Sequence, residues 1–319
     1  MGLKVAFTDF WRGADTEDNF LLRALRETTP AVVTAPGDAE LLFFSVFGPQ
    51  HTSFVGTKIQ YSGENTQPRW SATDFHIGCN LVEDRRHLRF PPYAAAMVES
   101  GWPRAPLEAG PPWRDREFCL FLTSRETSPR VAAFEAISRY RPVISAGSVR
   151  RNAQPLDLEP RDGRWHDSKL RYQRNFRFTI AYEHTAAPGY TSEKLVDALF
   201  TRSIPIYWGN PRVDEDVYAD CFINASDFGG LDALVEHVRR VDTDEELART
   251  YLAREEFLVR SIDDYWGDLV LFLGEAAATV GTRPRRRERT RALREQTRHQ
   301  RRRVLWSIRR RALEAIRRP

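Results

Sequence analysis

Short apolar runs alternate along the chain with segments whose apolar positions recur at helical spacing, the pattern of parallel strands covered by helices. In the first part, residues 4–8, 40–47, 57–62 and 75–79 predict strands and residues 17–27 a helix. The stretch 102–115 is rich in proline and glycine and predicts a linker. Beyond it the alternation resumes. Residues 118–123, 142–145, 176–182 and 204–208 predict strands, and 129–140 and 192–201 predict helices. Residues 231–240, 244–259 and 263–278 predict closing helices, and the chain carries no internal repeat. The expected fold class is α/β, with two Rossmann-like domains facing a cleft: residues 1–115, residues 116–281, and a separate tail at 282–319. In such sheets ligands bind at the carboxyl ends of the strands.

Composition supports a folded protein. Of 319 residues, 41% are hydrophobic and 29% charged, which excludes a disordered or collagen-like chain, and the length favours two domains. The net charge of +4 hides a strong asymmetry: residues 283–319 hold 16 arginines against Glu288, Glu295 and Glu314, so the tail carries +13 and the rest −9. Cys79, Cys119 and Cys221 are too few and too far apart for a disulfide framework or a thiolate zinc site. The opening Met-Gly-Leu-Lys-Val-Ala-Phe runs straight into a strand pattern without the features of a secretion signal, and Ala6 stands where a myristoylation signal wants Ser or Thr. The longest apolar stretch, near 269–280, is interrupted by Gly274 and Glu275 and is too short to span a bilayer. These features lead us to expect a cytoplasmic protein.

The chemistry concentrates in residues 176–211. A buried strand ends at Tyr182, Pro188 and Gly189 turn the chain, and Thr191 or Ser192 caps a helix whose apolar face is Leu195, Val196 and Leu199. A helix N-terminus favours anions, and Lys194 in its first turn adds a full positive charge, a suitable seat for a diphosphate. Glu193 beside it suits sugar hydroxyls. Taken alone, a first-turn Glu-Lys pair reads more readily as dipole compensation and a solvated cation.

The longer pattern changes that balance. The run E-H-x5-Y-x2-E-K-x2-D-A-x5-I-P-I-Y-W-G, from Glu183 to Gly209, resembles the donor-binding signature of the α-1,3/4-fucosyltransferases (glycosyltransferase family 10), in particular their bacterial branch. Tyr61-Ser62-Gly63-Glu64-Asn65 resembles the family's Y-x-G-E-N turn, and Gly147-Ser148-Val149-Arg150 its G-x-V-R segment. The resemblance implies an inverting, metal-independent GT-B enzyme that moves L-fucose from GDP-fucose to a hydroxyl of a β-linked galactose or N-acetylglucosamine acceptor, with no cofactor beyond the donor. It implies that Arg150 and Lys194 hold the diphosphate, Tyr190 donates a hydrogen bond to it, Glu193 binds the ribose, and Glu64 is the general base. Cations at the departing diphosphate act most strongly in the transition state, and inversion needs one carboxylate on the acceptor side.

His184 stands where the family usually has Asn, and its ring can still donate toward donor phosphate or sugar. Arg151 follows Arg150, so which of the two meets the diphosphate stays open. Asp214-Glu215-Asp216 and Asp242-Thr243-Asp244 fit D-x-D, a metal-binding pattern in other glycosyltransferases, but Asp242 and Asp244 read better as helix caps. Trp70, near Glu64, and Trp165 are candidate sugar-stacking faces, whereas Trp208 reads as packing. In the tail, Val304, Leu305, Ile308, Ala312 and Ile316 fall at near-helical spacing among arginines, which predicts a basic amphipathic segment on the inner, anionic face of the cytoplasmic membrane rather than a nucleic-acid contact. The expected acceptor is then a lipopolysaccharide or lipid-linked glycan. The rival readings are a transferase of the same signature using another GDP-sugar and a non-catalytic scaffold that binds nucleic acid through the tail.

Overall fold

The computed structural model describes residues 2–101, 110–154 and 164–281. The first half contains β1 (Leu3–Thr8), α1 (Phe20–Thr28), β2 (Ala31–Val33), β3 (Leu41–Phe44), β4 (Thr57–Ser62), β5 (Phe75–Gly78), β6 (His87–Arg89) and α2 (Pro92–Glu99). Its six strands form a parallel sheet in the order β2-β1-β3-β4-β5-β6. The second half contains β7 (Glu117–Phe121), α3 (Ser128–Tyr140), β8 (Val143–Ser145), α4 (Arg164–Gln173), β9 (Phe176–Tyr182), α5 (Glu193–Phe200), β10 (Ile204–Trp208), β11 (Ile223–Asn224), α6 (Leu231–Thr243), α7 (Glu245–Tyr251) and α8 (Ile262–Ala278). Its five parallel strands are ordered β11-β10-β9-β7-β8. Strands such as β3 (Leu-Leu-Phe-Phe) are buried on both faces, which is why they read as unbroken apolar runs.

Two helices were hidden from the apolar pattern and one was overextended. Helix α2 begins at a Pro-Pro pair, with Pro92 at its first position, where a missing N–H costs nothing. Helix α4 lies in a strongly polar stretch. The expected helix 244–259 stops at Tyr251 because the following chain pairs its backbone with residues 216–218: Tyr218 N–H donates to Phe257 O at 3.0 Å and Val259 N–H to Asp216 O at 3.0 Å.

Helix α8 returns to the first half. Its Ile262, Tyr265, Leu269, Phe272, Leu273 and Ala276 join the core built by α1 and the first sheet, with Ile262, Leu269, Phe272 and Leu273 each contributing roughly 1.5–3 kcal/mol by burial, and Trp266 Nε1 donates to Glu27 Oε1 at 2.7 Å. The stretch 116–281, expected to be one domain, thus sends its last helix into the core of the other half.

A polar seam ties the halves together. Asp216, fully buried after β10, receives Arg89 Nη2 from β6 at 2.7 and 2.9 Å, Thr191 Oγ1 at 2.6 Å and Asn210 Nδ2 at 3.2 Å. Arg89 also donates to Gly189 O and to the hydroxyl of Tyr265, both at 3.2 Å. Gly189 has φ +83°, and a Cβ there would lie 2.3 Å from Cys79 O of the first half, so only glycine lets the two backbones approach this closely. Removing one partner of a buried ion pair strands the other charge. Asp216→Ala should therefore lower unfolding free energy in urea by about 3–5 kcal/mol; a loss below about 1 kcal/mol would mean that the seam contributes little.

Candidate functional site between the two sheets

The carboxyl ends of β4 and β9 meet across the seam. After β4, Ser62 Oγ donates to Glu64 O at 3.0 Å and accepts from Glu64 N–H at 3.1 Å and Thr66 Oγ1 at 2.7 Å, so the Ser-Gly-Glu-Asn turn is pinned and aims Glu64 outward with its side chain 44% exposed. After β9 comes Glu183, fully buried, whose carboxylate accepts Ser192 N–H at 2.7 Å and Ser192 Oγ at 2.8 Å. Gly209 makes room for it, since a Cβ there would lie 2.4 Å from Glu183 Cγ. Ser192 is the N-cap of α5, so the acid that opens the signature motif anchors the helix start from below.

Lys194 sits over that start. Its Nζ lies 3.0 Å from Ser192 Oγ, 3.4 Å from Glu193 Oε1 and 3.7 Å from Glu183 Oε2. Burial alone would depress the ammonium's pKa, but Glu193 and Glu183 outweigh it and hold the pKa above the ordinary value, so Lys194 is charged at neutral pH. Burial likewise pushes Glu193 up, yet Lys194 and Lys169 bring it below the usual carboxylate range. The buried Glu183 is raised, chiefly by desolvation.

His184 links the two halves. Its Nδ1 is hydrogen-bonded to the Tyr190 hydroxyl at 3.1 Å, and its Nε2 lies 3.7 Å from Glu64 Oε2. The structure thus gathers Glu64, His184, Tyr190, Glu193 and Lys194 from the residues expected at the site. Arg150 stands apart: at φ +52° its Nη2 pairs with Glu135 of α3 at 2.9 Å, while Arg151 Nε donates to Gly147 O at 2.8 Å. The buried guanidinium in this neighbourhood is Arg130, which escaped the sequence reading because a lone arginine on a helix has no motif. It donates to Tyr182 O at 2.8 and 3.0 Å, and its charge acts on Glu183, Tyr190 and Glu193.

One cavity of about 300 Å³ borders both halves of this cluster, lined by Glu64 on one side and Glu193 on the other. Trp70 does not line it, and Arg86 covers its ring at 4.1 Å from the centroid. The side chain of Trp165 lies outside the described residues. Trp208 stacks on Tyr182 as packing. Asp216 is committed to the seam and Asp244 caps α7, while Asp242 is a buried partner of Arg141 and Arg177 rather than a cap. Among the described residues no group of three or more His, Cys, Asp or Glu side chains is arranged to hold a metal ion.

Known proteins resemble this chain in sequence and in fold. A family model described as the alpha-(1,3)-fucosyltransferase FucT N-terminal domain matches residues 5–96, and one described as glycosyltransferase family 10 (fucosyltransferase) C-terminal matches residues 114–269. The chain is 26% identical over 283 residues to the alpha-(1,3)-fucosyltransferase FucT of Helicobacter pylori, covering 76% of this chain and 57% of that protein. It is 34% identical over 83 residues to an alpha-(1,4)-fucosyltransferase of Arabidopsis thaliana, covering 26% of this chain and 21% of that one. The chain therefore spans little more than half of the first relative and about a fifth of the second. A crystal structure of an alpha1,3-fucosyltransferase with GDP-fucose superposes with a TM-score of 0.71 at 23% identity, over 86% of this chain and 90% of that one, a likeness of GT-B fold.

The imidazole between Glu64 and Tyr190 makes the site sensitive to pH. Burial lowers the pKa of His184, Glu64 pulls it up, and Arg125, Arg130 and Lys194 push it down again, so the ring is neutral at pH 7. Acidification past that lowered pKa puts an imidazolium beside Glu64, where it competes for the carboxylate. The acid limb of the activity profile should move to lower pH in His184→Asn; superimposable wild-type and variant profiles would remove His184 from this role.

Proposed function

Because the chain belongs to glycosyltransferase family 10, the fucosyltransferases, we propose that it transfers L-fucose from GDP-fucose to a hydroxyl of a β-linked glycan acceptor, with inversion and without a metal ion. The observation that carries this reading is the single cavity bordered by Glu64 from the first sheet and by Glu193, beside Lys194, from the second. The acceptor hydroxyl gives its proton to Glu64 as its oxygen attacks C1 of the fucose. The bond from C1 to the phosphate oxygen breaks, and GDP departs with the electron pair. Negative charge grows on the diphosphate, where the α5 N-terminus and the Lys194 ammonium stabilise it. Glu193 accepts from the ribose hydroxyls, and the Tyr190 hydroxyl and His184 complete the donor side.

Arg150 joins the diphosphate by leaving Glu135. Both side chains of that pair are largely exposed, so its exchange for a phosphate costs less than about 1 kcal/mol. The arginine-rich residues 283–319 lie outside the described residues; their composition supports reversible docking on an anionic membrane surface, next to a lipid-linked acceptor. Among the described residues no helix is long and apolar enough to cross a membrane.

Three measurements test these roles. Incubation with GDP-fucose and N-acetyllactosamine, with the product linkage read by NMR, should yield a fucosylated disaccharide; transfer of a different sugar from another GDP-sugar would overturn the donor assignment. Glu64→Gln should reduce kcat by at least about a hundredfold with little change in GDP affinity, whereas Lys194→Ala should weaken GDP binding and rate together. Full turnover by Glu64→Gln would remove it as the base. Deleting residues 283–319 should abolish salt-sensitive binding to anionic vesicles while transfer to a soluble acceptor persists, and retained vesicle binding would contradict the tail's role.

A further inference from the structure

The cavity next to Glu64 has an aromatic floor that the transfer mechanism does not use. Trp11, in the loop after β1, and Phe47, in the loop after β3, line it with 47% and 54% of their surfaces exposed, an unusual cost for two large apolar rings side by side. They meet edge to face, with centroids 6.4 Å apart. Behind them Phe10 packs against Trp11 at 5.7 Å and against Tyr61 at 6.3 Å, so the exposed pair is rooted in the core. Strands β1, β3 and β4 are neighbours in the sheet, and their carboxyl ends deliver Trp11, Phe47 and Glu64 to one place.

The two loops are laced together rather than loose. Asp9, buried and held at φ +59°, accepts Gln50 N–H at 3.0 Å and His51 N–H at 2.8 Å through its carboxylate, with His51 Nδ1 2.6 Å away, and its carbonyl accepts Phe47 N–H at 3.0 Å. A left-handed non-glycine residue stores strain that the surrounding bonds must hold, and such strain collects at binding sites. Carboxylates of Asp15, Glu64, Glu99 and Glu193 also line the cavity. Apolar ring faces combined with hydrogen-bond-accepting carboxylates match a pyranose, which has C–H groups on a face and hydroxyls around its rim. Glu99 is paired with Arg23 at 2.9 Å and Glu193 with Lys194 at 3.4 Å, which leaves Asp15 and Glu64 as the acids that disfavour an anionic sugar.

We propose that Trp11 and Phe47 form the platform on which the acceptor's neutral pyranose stacks while presenting its hydroxyl to Glu64. This rests on the transferase reading and adds the acceptor's seat and charge class to it. The platform binds acceptor without touching donor, so the kinetic constants separate.

With N-acetyllactosamine as acceptor, Trp11→Ala should raise the acceptor KM by about tenfold or more, leave the GDP-fucose KM within about twofold, and recover most of the loss as Trp11→Phe. Phe47→Leu, a gentler change, should raise the same constant by a smaller factor. The analogue carrying galacturonate in place of galactose should be a markedly poorer acceptor for the wild type. Calorimetric GDP binding reports whether each variant is folded. Normal GDP binding with an unchanged acceptor KM in both variants overturns the platform alone. A parallel rise in donor and acceptor KM also overturns it, and equal use of the acidic analogue overturns the charge class. Wild-type protein that does not bind GDP removes the transferase reading and this inference with it.

Discussion

The buried carboxylate of Asp216 is the point on which the two halves are assembled. It receives Arg89 from the edge strand of the first sheet and Thr191 from the turn that opens α5, so one ionised group holds both walls of the cleft. Gly189 lets the same turn touch the backbone of the first half at Cys79. An ion pair this buried is a poor source of net stability compared with apolar packing, and its value here is geometric, because it sets where the α5 N-terminus lies relative to Glu64. The aromatic chain from Tyr61 out to Trp11 fixes the other wall, and α8 braces the first sheet from behind.

Charge inside the cleft is arranged by opposition. The cation of Lys194 is maintained by Glu183 and Glu193, while Glu64 faces it from the other side with a neutral imidazole between. One of the carboxylate partners of Lys194 is 3.7 Å away, longer than a charge-assisted hydrogen bond, so the cation keeps capacity for an anionic ligand. The cavity beside Glu64 combines apolar rings with carboxylates.

Much of this was legible from the residues. The long buried strands β4, β9 and β10 and the capped helix α5 were visible because unbroken apolar runs and a Ser-Glu-Lys opening are local signals. The E-H…E-K pattern marked the residues that gather at the start of α5. Strand β6 and helix α2 were missed because three half-buried residues and a Pro-Pro start have no period to detect. Asp216 showed only as the end of a D-x-D match, since nothing nearby in sequence announces a partner 127 positions away. Trp11 and Phe47 line the cavity beside Glu64 whereas Trp70, nearer in sequence, does not; adjacency of strand ends is a property of sheet order, and sequence distance does not report it. Arg150 was placed by motif, whereas its side chain is engaged by Glu135 on a neighbouring helix.

The proposed chemistry requires that the α5 N-terminus and Glu64 act on the same bound molecules. A crystal structure of the protein soaked with GDP tests it most directly. The diphosphate should lie against the Ser192 to Lys194 backbone with Lys194 Nζ in contact and the terminal phosphate facing Glu64. Nucleotide bound at any other place, or a terminal phosphate turned away from Glu64, would contradict it.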